Sequence, residues 1–172
     1  QMTSETHGEN YKYDLSYEEI ANLIKQYIPT HRIEVEKFFR LILFNYVFSN
    51  GDAHLKNFSA IQSAQGDYVL TPAYDLLCTR LHSPNESDMA LTLFDDRFSK
   101  TYEAYGFYTY NDFYEFGQLI GIKSSRVIKI ITEFTQPDQR VYSLIEGSYL
   151  KDEVKRTYVD YYEDRVKRLK ML

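Results

Sequence analysis

Six consecutive residues, Asp52-Ala53-His54-Leu55-Lys56-Asn57, set an acid, an imidazole, an ammonium and a carboxamide side by side. Eighteen residues after Asn57 a second isolated acid, Asp75, closes the stretch Leu70-Thr71-Pro72-Ala73-Tyr74. An Asp, an Asn five residues on and an Asp at the end of the next hairpin form the set that phosphoryl transfer from a nucleotide asks for. Asp52 is the candidate for orienting an acceptor hydroxyl and taking its proton, an effect of about 10²–10⁴-fold in rate. Asn57 and Asp75 offer hard oxygens, which suit Mg²⁺ because that ion keeps several waters and takes the rest of its shell from substrate phosphates. The His54 imidazole can donate to Asp52 or to a phosphate oxygen. Lys56 can counter the charge being transferred. Each residue also has a structural reading. Asp52 and Asn57 suit turns, Asp75 suits a helix N-cap before Leu76-Leu77, His54 suits a hydrogen bond inside the loop, and Lys56 suits a solvated surface.

Other chemistries lack their residues. The histidines His7, His31, His54 and His82 never approach a His-Glu-x-x-His spacing, and the chain holds neither Gly-x-Ser-x-Gly nor a Walker A loop. Cys78 is the single cysteine, which excludes an internal disulfide and any multi-cysteine zinc site. A net charge of −5 gives no basic excess for a nucleic-acid surface, and nothing basic interleaves with the 17 tyrosines and 11 phenylalanines. These aromatics read as core and rim. The longest apolar run, Leu41–Phe48, is broken by Asn45 and is far short of a membrane span. A cytoplasmic protein without membrane or direct nucleic-acid contact is expected. At 172 residues, one domain with a full core is also expected.

The supporting elements read as mainly helical. Residues 1–13 are polar and aperiodic and suggest a flexible lead or linker. Ser16 with Glu19 forms a capping-box pattern, and Ile20, Leu23, Ile24, Tyr27 and Ile28 keep helical spacing up to Pro29. From Glu34, the stripe Val35, Phe38, Phe39, Ile42, Leu43, Tyr46 and Val47, widened by Leu41, Phe44 and Phe48, predicts a buried central helix. It would give the Asn50–Asn57 loop a rigid support. Phe58–Gln62 and Tyr68–Thr71 flank a Gly-containing turn and predict a hairpin that brings Asp75 back beside Asn57. Met89–Phe94 suggests a short strand, and Asp95–Tyr110 a mixed connection. Four helical stripes follow, through Phe113 to Ile120, Val127 to Phe134, Val141 to Tyr149, and Val154 to Leu169.

The segments Asn50-Gly51-Asp52-Ala53-His54-Leu55-Lys56-Asn57-Phe58-Ser59 and Leu70-Thr71-Pro72-Ala73-Tyr74-Asp75-Leu76-Leu77 resemble the C-terminal part of HipA-like protein kinases, the toxins of bacterial toxin–antitoxin modules. The resemblance extends over nearly the whole chain. It implies an α+β fold, mainly α: residues 14–172 as the helical C-terminal lobe of a protein-kinase-like fold, with a small β-hairpin at the site. It further implies serine/threonine phosphorylation with ATP and Mg²⁺, a protein substrate of the translation machinery and a DNA-binding antitoxin as partner. Asp52, His54 and Lys56 would be catalytic, with Asn57 and Asp75 holding metal and nucleotide. The Asp-x-His-x-x-Asn order also resembles the catalytic loop of phosphoinositide-type lipid kinases, and a pseudokinase module or a metal-dependent phosphohydrolase are further readings. Seven glycines spread singly offer no phosphate-covering loop, and no strand lysine for the phosphates is evident. The N-terminal lobe is expected to lie outside this chain, which alone would then be inactive.

Overall fold

The computed structural model describes residues 11–171, and its centre is a helix that is apolar round most of its circumference. This helix, α2 (His31–Val47), buries Val35, Phe38, Phe39, Ile42, Leu43, Tyr46 and Val47. Each such side chain contributes about 1.5–3 kcal/mol of burial. The helix starts three residues before Glu34, because the first turn of a helix needs no apolar side chain. Against it pack α1 (Tyr17–Tyr27), α5 (Ser124–Phe134) and α7 (Asp152–Arg168). Arg126 to Glu36 and Arg40 to Glu133 tie α5 to α2 at the surface.

Helix α1 opens on the capping box that its sequence predicts. The Glu19 amide donates to Ser16 Oγ at 3.1 Å and the Ser16 amide to Glu19 Oε2 at 2.8 Å. The hairpin is antiparallel, β1 (Ala60–Gln62) with β2 (Tyr68–Leu70), in the register Ala60 to Leu70, Ile61 to Val69 and Gln62 to Tyr68. Its second strand is fastened to α2 by the Leu70 amide, which donates to the buried carboxylate of Glu34 at 2.9 Å. The mainly helical fold with one small hairpin is the architecture that the sequence predicts.

Several local expectations are corrected. Met89–Phe94 is not a strand. Its side chains Met89, Leu91, Leu93 and Phe94 enter the core, while the Thr92 and Leu93 carbonyls accept the Tyr17 and Glu18 amides of α1 at 2.9 and 3.1 Å. A helix start thus takes the place of a partner strand. The connection after Asp95 contains a helix, α3 (Lys100–Tyr105), capped by Ser99 and stopped by Gly106 at φ 73°, where a left-handed residue is needed. Two further helices, α4 (Tyr110–Leu119) and α6 (Gln139–Glu146), follow the predicted stripes. Of the stripe through α6 only Ile145 is buried, since Leu144 is 75% exposed and Tyr149 lies beyond the helix in solvent. Residues 11–13, expected in a linker, form a single 3₁₀ turn instead; residues 1–10 of that expected lead lie outside the described residues. No described helix is long and apolar enough to cross a membrane.

Candidate active site

The loop that leaves α2 turns at Ser49, whose φ of 53° is rare for a residue with a side chain. Such a residue costs of order 1–3 kcal/mol and persists only where its surroundings hold it. Here the Arg165 guanidinium of α7 donates to Ser49 Oγ at 3.3 Å, and the Arg80 amide donates to the Ser49 carbonyl at 3.3 Å. The next residue, Asn50, is buried and reaches three ways. Its Nδ2 donates to Asn45 Oδ1 at 3.1 Å and to the Asp75 carbonyl at 3.0 Å, while its Oδ1 accepts the Asp52 amide at 3.3 Å. From α1, the Tyr17 hydroxyl donates to the Ala53 carbonyl at 2.9 Å. The loop is thereby pinned from α1, α2, α7 and the segment after the hairpin.

Of the residues predicted for chemistry, Asn57 and Asp75 meet directly. Asn57 Nδ2 donates to Asp75 Oδ2 at 2.6 Å, so the hairpin does return the second acid to the end of the loop. Asn57 Oδ1 accepts the His54 amide at 2.9 Å, which fixes the orientation of the carboxamide inside a 3₁₀ turn over Leu55–Asn57. The N-cap reading of Asp75 is excluded. No helix starts there, and Asp75 sits in the left-handed region at φ 57°, which Asp tolerates better than most residues. Its side chain is free of any capping duty among the described residues.

Asp52 is half-exposed, with His54 Nε2 3.9 Å from its Oδ2. His54 itself is buried, and its Nδ1 has no hydrogen-bond partner among the described residues. Burial, and then the nearby Lys12 cation, hold its pKa below the ordinary imidazole value, although Asp52 and Asp75 pull the other way. A neutral imidazole therefore sits in the field of both acids. Lys56 is brought to neither carboxylate: no ion pair with Asp52 or Asp75 exists among the described residues, and its ammonium lies 4.5 Å above the Tyr11 ring. Tyr74 fastens the backbone there, donating to the Lys56 carbonyl at 2.5 Å.

A family model, the HipA-like C-terminal domain, matches residues 1–140. The chain belongs to the HipA-like C-terminal domain family. It is 32% identical over 152 residues to a Haemophilus influenzae protein described as "Putative kinase", covering 83% of this chain and 44% of that protein. A Sinorhizobium fredii protein, "Putative kinase Y4dM", is 37% identical over 83 residues, which is 48% of this chain and 20% of the relative. The chain thus spans less than half the length of these relatives. Among solved structures, a chain in the complex of the Shewanella oneidensis MR-1 toxin–antitoxin system HipA, HipB and its operator DNA matches with a TM-score of 0.68 at 20% identity. That match covers 95% of this chain and 38% of the other, and it shows the fold.

Within this HipA-like domain the sequence left two supporting residues without a role. Asn50 stands in an Asn-Gly pair that reads as a turn, and only the fold shows its side chain bridging to Asp75. Arg165 is 1% exposed, and its position in line with Tyr158, Tyr162 and Leu169 on one helix face was the available signal. Its Nη1 lies 2.5 Å from Asp88 Oδ2, a largely buried ion pair. Asp88 also receives Arg80 at 2.9 Å and Arg168 at 2.6 Å. Burial pushes the Asp88 pKa up, but these three guanidiniums outweigh it and hold the acid below the usual carboxylate range. The cluster ties α7 to the loop after the hairpin and keeps Arg165 at Ser49.

Among the described residues no group of three acidic, histidine or cysteine side chains could hold a metal. A donor set of one carboxylate and one carboxamide suits an ion that completes its shell with water and phosphate oxygens, as Mg²⁺ does. Asn57 and Asp75 fit such a site in residue type and are neighbours, but Asn57 Nδ2 faces the carboxylate while Oδ1 accepts the His54 amide, so an ion would need the Asn57 oxygen turned toward it.

Proposed function

We propose that this chain is the catalytic C-terminal lobe of a serine/threonine protein kinase that uses ATP and Mg²⁺. The observation that carries this reading is the direct contact of Asn57 with Asp75, at the far end of the loop that presents Asp52. Asn57 and Asp75 would hold Mg²⁺, which when bound neutralises charge on the β- and γ-phosphates. Asp52 orients the acceptor hydroxyl and takes its proton as the new oxygen–phosphorus bond forms. The bond from the γ-phosphorus to ADP breaks, and its electron pair leaves with ADP. Neutral His54 is placed to donate a hydrogen bond beside Asp52, and Lys56 supplies positive charge at the rim.

We place the phosphate-covering loop and its lysine outside these 172 residues, in the rest of a protein as long as the relatives. By analogy with the toxin–antitoxin complex, the partner would be a DNA-binding antitoxin; the resemblance to HipA-like kinases suggests a substrate protein of the translation machinery. A cytoplasmic location goes with both.

The test is phosphoryl transfer by the full-length protein as free Mg²⁺ is varied, with nucleotide affinity followed in parallel. Asp52→Asn keeps shape and removes the proton acceptor, so transfer falls by about 10²–10⁴-fold while nucleotide and metal binding survive. Asp75→Asn weakens a charged ligand, so the Mg²⁺ requirement moves to higher concentration. Reversed phenotypes would exchange the two roles. Transfer to a phosphoinositide, phosphate release without an acceptor, or no turnover at all would each replace the protein-kinase reading.

A further inference from the structure

The 3₁₀ turn Tyr11–Tyr13 touches each of the three residues that the sequence marks as catalytic. The Tyr13 hydroxyl donates to Asp52 Oδ1 at 2.7 Å, and the Lys12 ammonium lies 3.8 Å from the same oxygen. The Tyr13 ring meets His54 edge-on, with centroids 5.6 Å apart at 74°. The Tyr11 ring carries the Lys56 ammonium on its face. Three successive residues thus engage three candidate groups drawn from positions 52 to 56.

Resting on the kinase reading, we propose that Tyr13 is a positioning residue for phosphoryl transfer, holding Asp52 by Oδ1 so that Oδ2 faces the acceptor hydroxyl. A half-exposed aspartate turns about two side-chain bonds, and transfer needs its oxygen within hydrogen-bond reach of one particular hydroxyl. Among the described residues, Oδ1 accepts the Tyr13 hydroxyl and Oδ2 accepts no hydrogen bond. The carboxylate is therefore anchored at Oδ1, while Oδ2 has the His54 imidazole beside it, with Nε2 3.9 Å away and beyond hydrogen-bond reach. Tyr13, itself 41% exposed, meets the buried His54 through its ring, and it leaves the Asp52 side chain 47% exposed, with room for a substrate to approach. Transfer proceeds with the acceptor proton passing to Oδ2, the acceptor oxygen bonding the γ-phosphorus and ADP leaving with the electron pair. Tyr13 keeps its own proton throughout. Lys12 stands by the same oxygen as a fixed positive charge.

The experiment compares full-length wild-type protein with Tyr13→Phe, alone and combined with Asp52→Asn, in ATP-dependent transfer. The phenyl ring keeps the His54 contact, so unfolding stability serves as a control for structural damage. Expected is a fall in kcat of about 10- to 100-fold with nucleotide KM unchanged, the scale set by the misplacement of one catalytic group. Tyr13→Phe should then add nothing once Asp52 is Asn, because the hydroxyl acts only through that carboxylate. A role confined to folding would give additive losses. An unchanged kcat overturns the positioning role and leaves the kinase reading intact. A raised kcat overturns it too, by showing that the turn obstructs the acceptor instead. Absence of transfer by wild type removes the kinase reading and this inference with it.

Discussion

The side-chain amide of Asn50 donates to the backbone carbonyl of Asp75 at 3.0 Å, across 25 residues of sequence. This one bond makes the position of the second acid depend on the loop that carries the first. The same carboxamide supports Asn45 and the Asp52 amide, so truncation strands the buried Asn45 side chain and two part-buried backbone groups at once. Asn50→Ala should lower stability by about 1–3 kcal/mol, read as a shift of the urea midpoint at constant slope. In the full-length protein it should also weaken Mg²⁺-dependent transfer. A stability equal to wild type would mean that the loop holds Asp75 without it.

His54 gives the site a pH dependence with a definite sign. Burial and the Lys12 cation keep its pKa below the ordinary value of 6.5, so the unfolded chain takes up a proton first on acidification. Its contribution to stability is full above pH 6.5 and is lost as pH falls through the lower folded value. NMR titration of the His54 ring should give a midpoint under 6.5, and Lys12→Met should move it up. His54→Gln should flatten that limb of the stability curve. A wild-type midpoint at or above 6.5 would contradict the buried, Lys12-facing placement of the imidazole.

Gly51 leaves no space for a methyl group. A Cβ there would lie 2.5 Å from the Ser87 carbonyl oxygen and 2.6 Å from Glu86 Cδ. The glutamate can swing away, but the Ser87 backbone cannot. The Gly51 amide also donates to Thr79 Oγ1 at 2.8 Å, which holds the loop close to the segment it would have to leave. Gly51→Ala is expected to cost about 1–3 kcal/mol, seen in thermal unfolding. Unchanged stability would show that the segment around Ser87 yields easily.

What could be read in advance was what the chain writes locally. The capping box at Ser16 and Glu19, the stripe of α2 and the turn at Gly66 are neighbours in sequence, so their periods and spacings point directly to elements. Asp75 was placed beside Asn57 because a hairpin fixes the return of the chain, although its left-handed backbone and its freedom from a cap were not visible. Tyr13 was hidden for the opposite reason. Its polar, aperiodic setting reads as linker, and its partner lies 39 residues away. The exposed Leu144 shows the same limit on an apolar stripe, since helical spacing says which residues share a face but not whether anything covers it.

The bond from Arg165 to Ser49 joins residues 116 positions apart, and synthesis runs from the N-terminus. At roughly 5–20 residues per second, the loop bearing Asp52 emerges roughly 6–23 s before the arginine that holds its strained first residue. For that interval the nascent chain has its candidate chemistry but lacks the contact that sets it. Contacts of such long range also slow folding, because their loop entropy is lost before they form. Completion of the last helix is therefore a timing event, after which the loop is clamped. A chain released before residue 165 would leave Ser49 held by the Arg80 amide but without the Arg165 guanidinium, whatever the state of the residues that follow it in the loop.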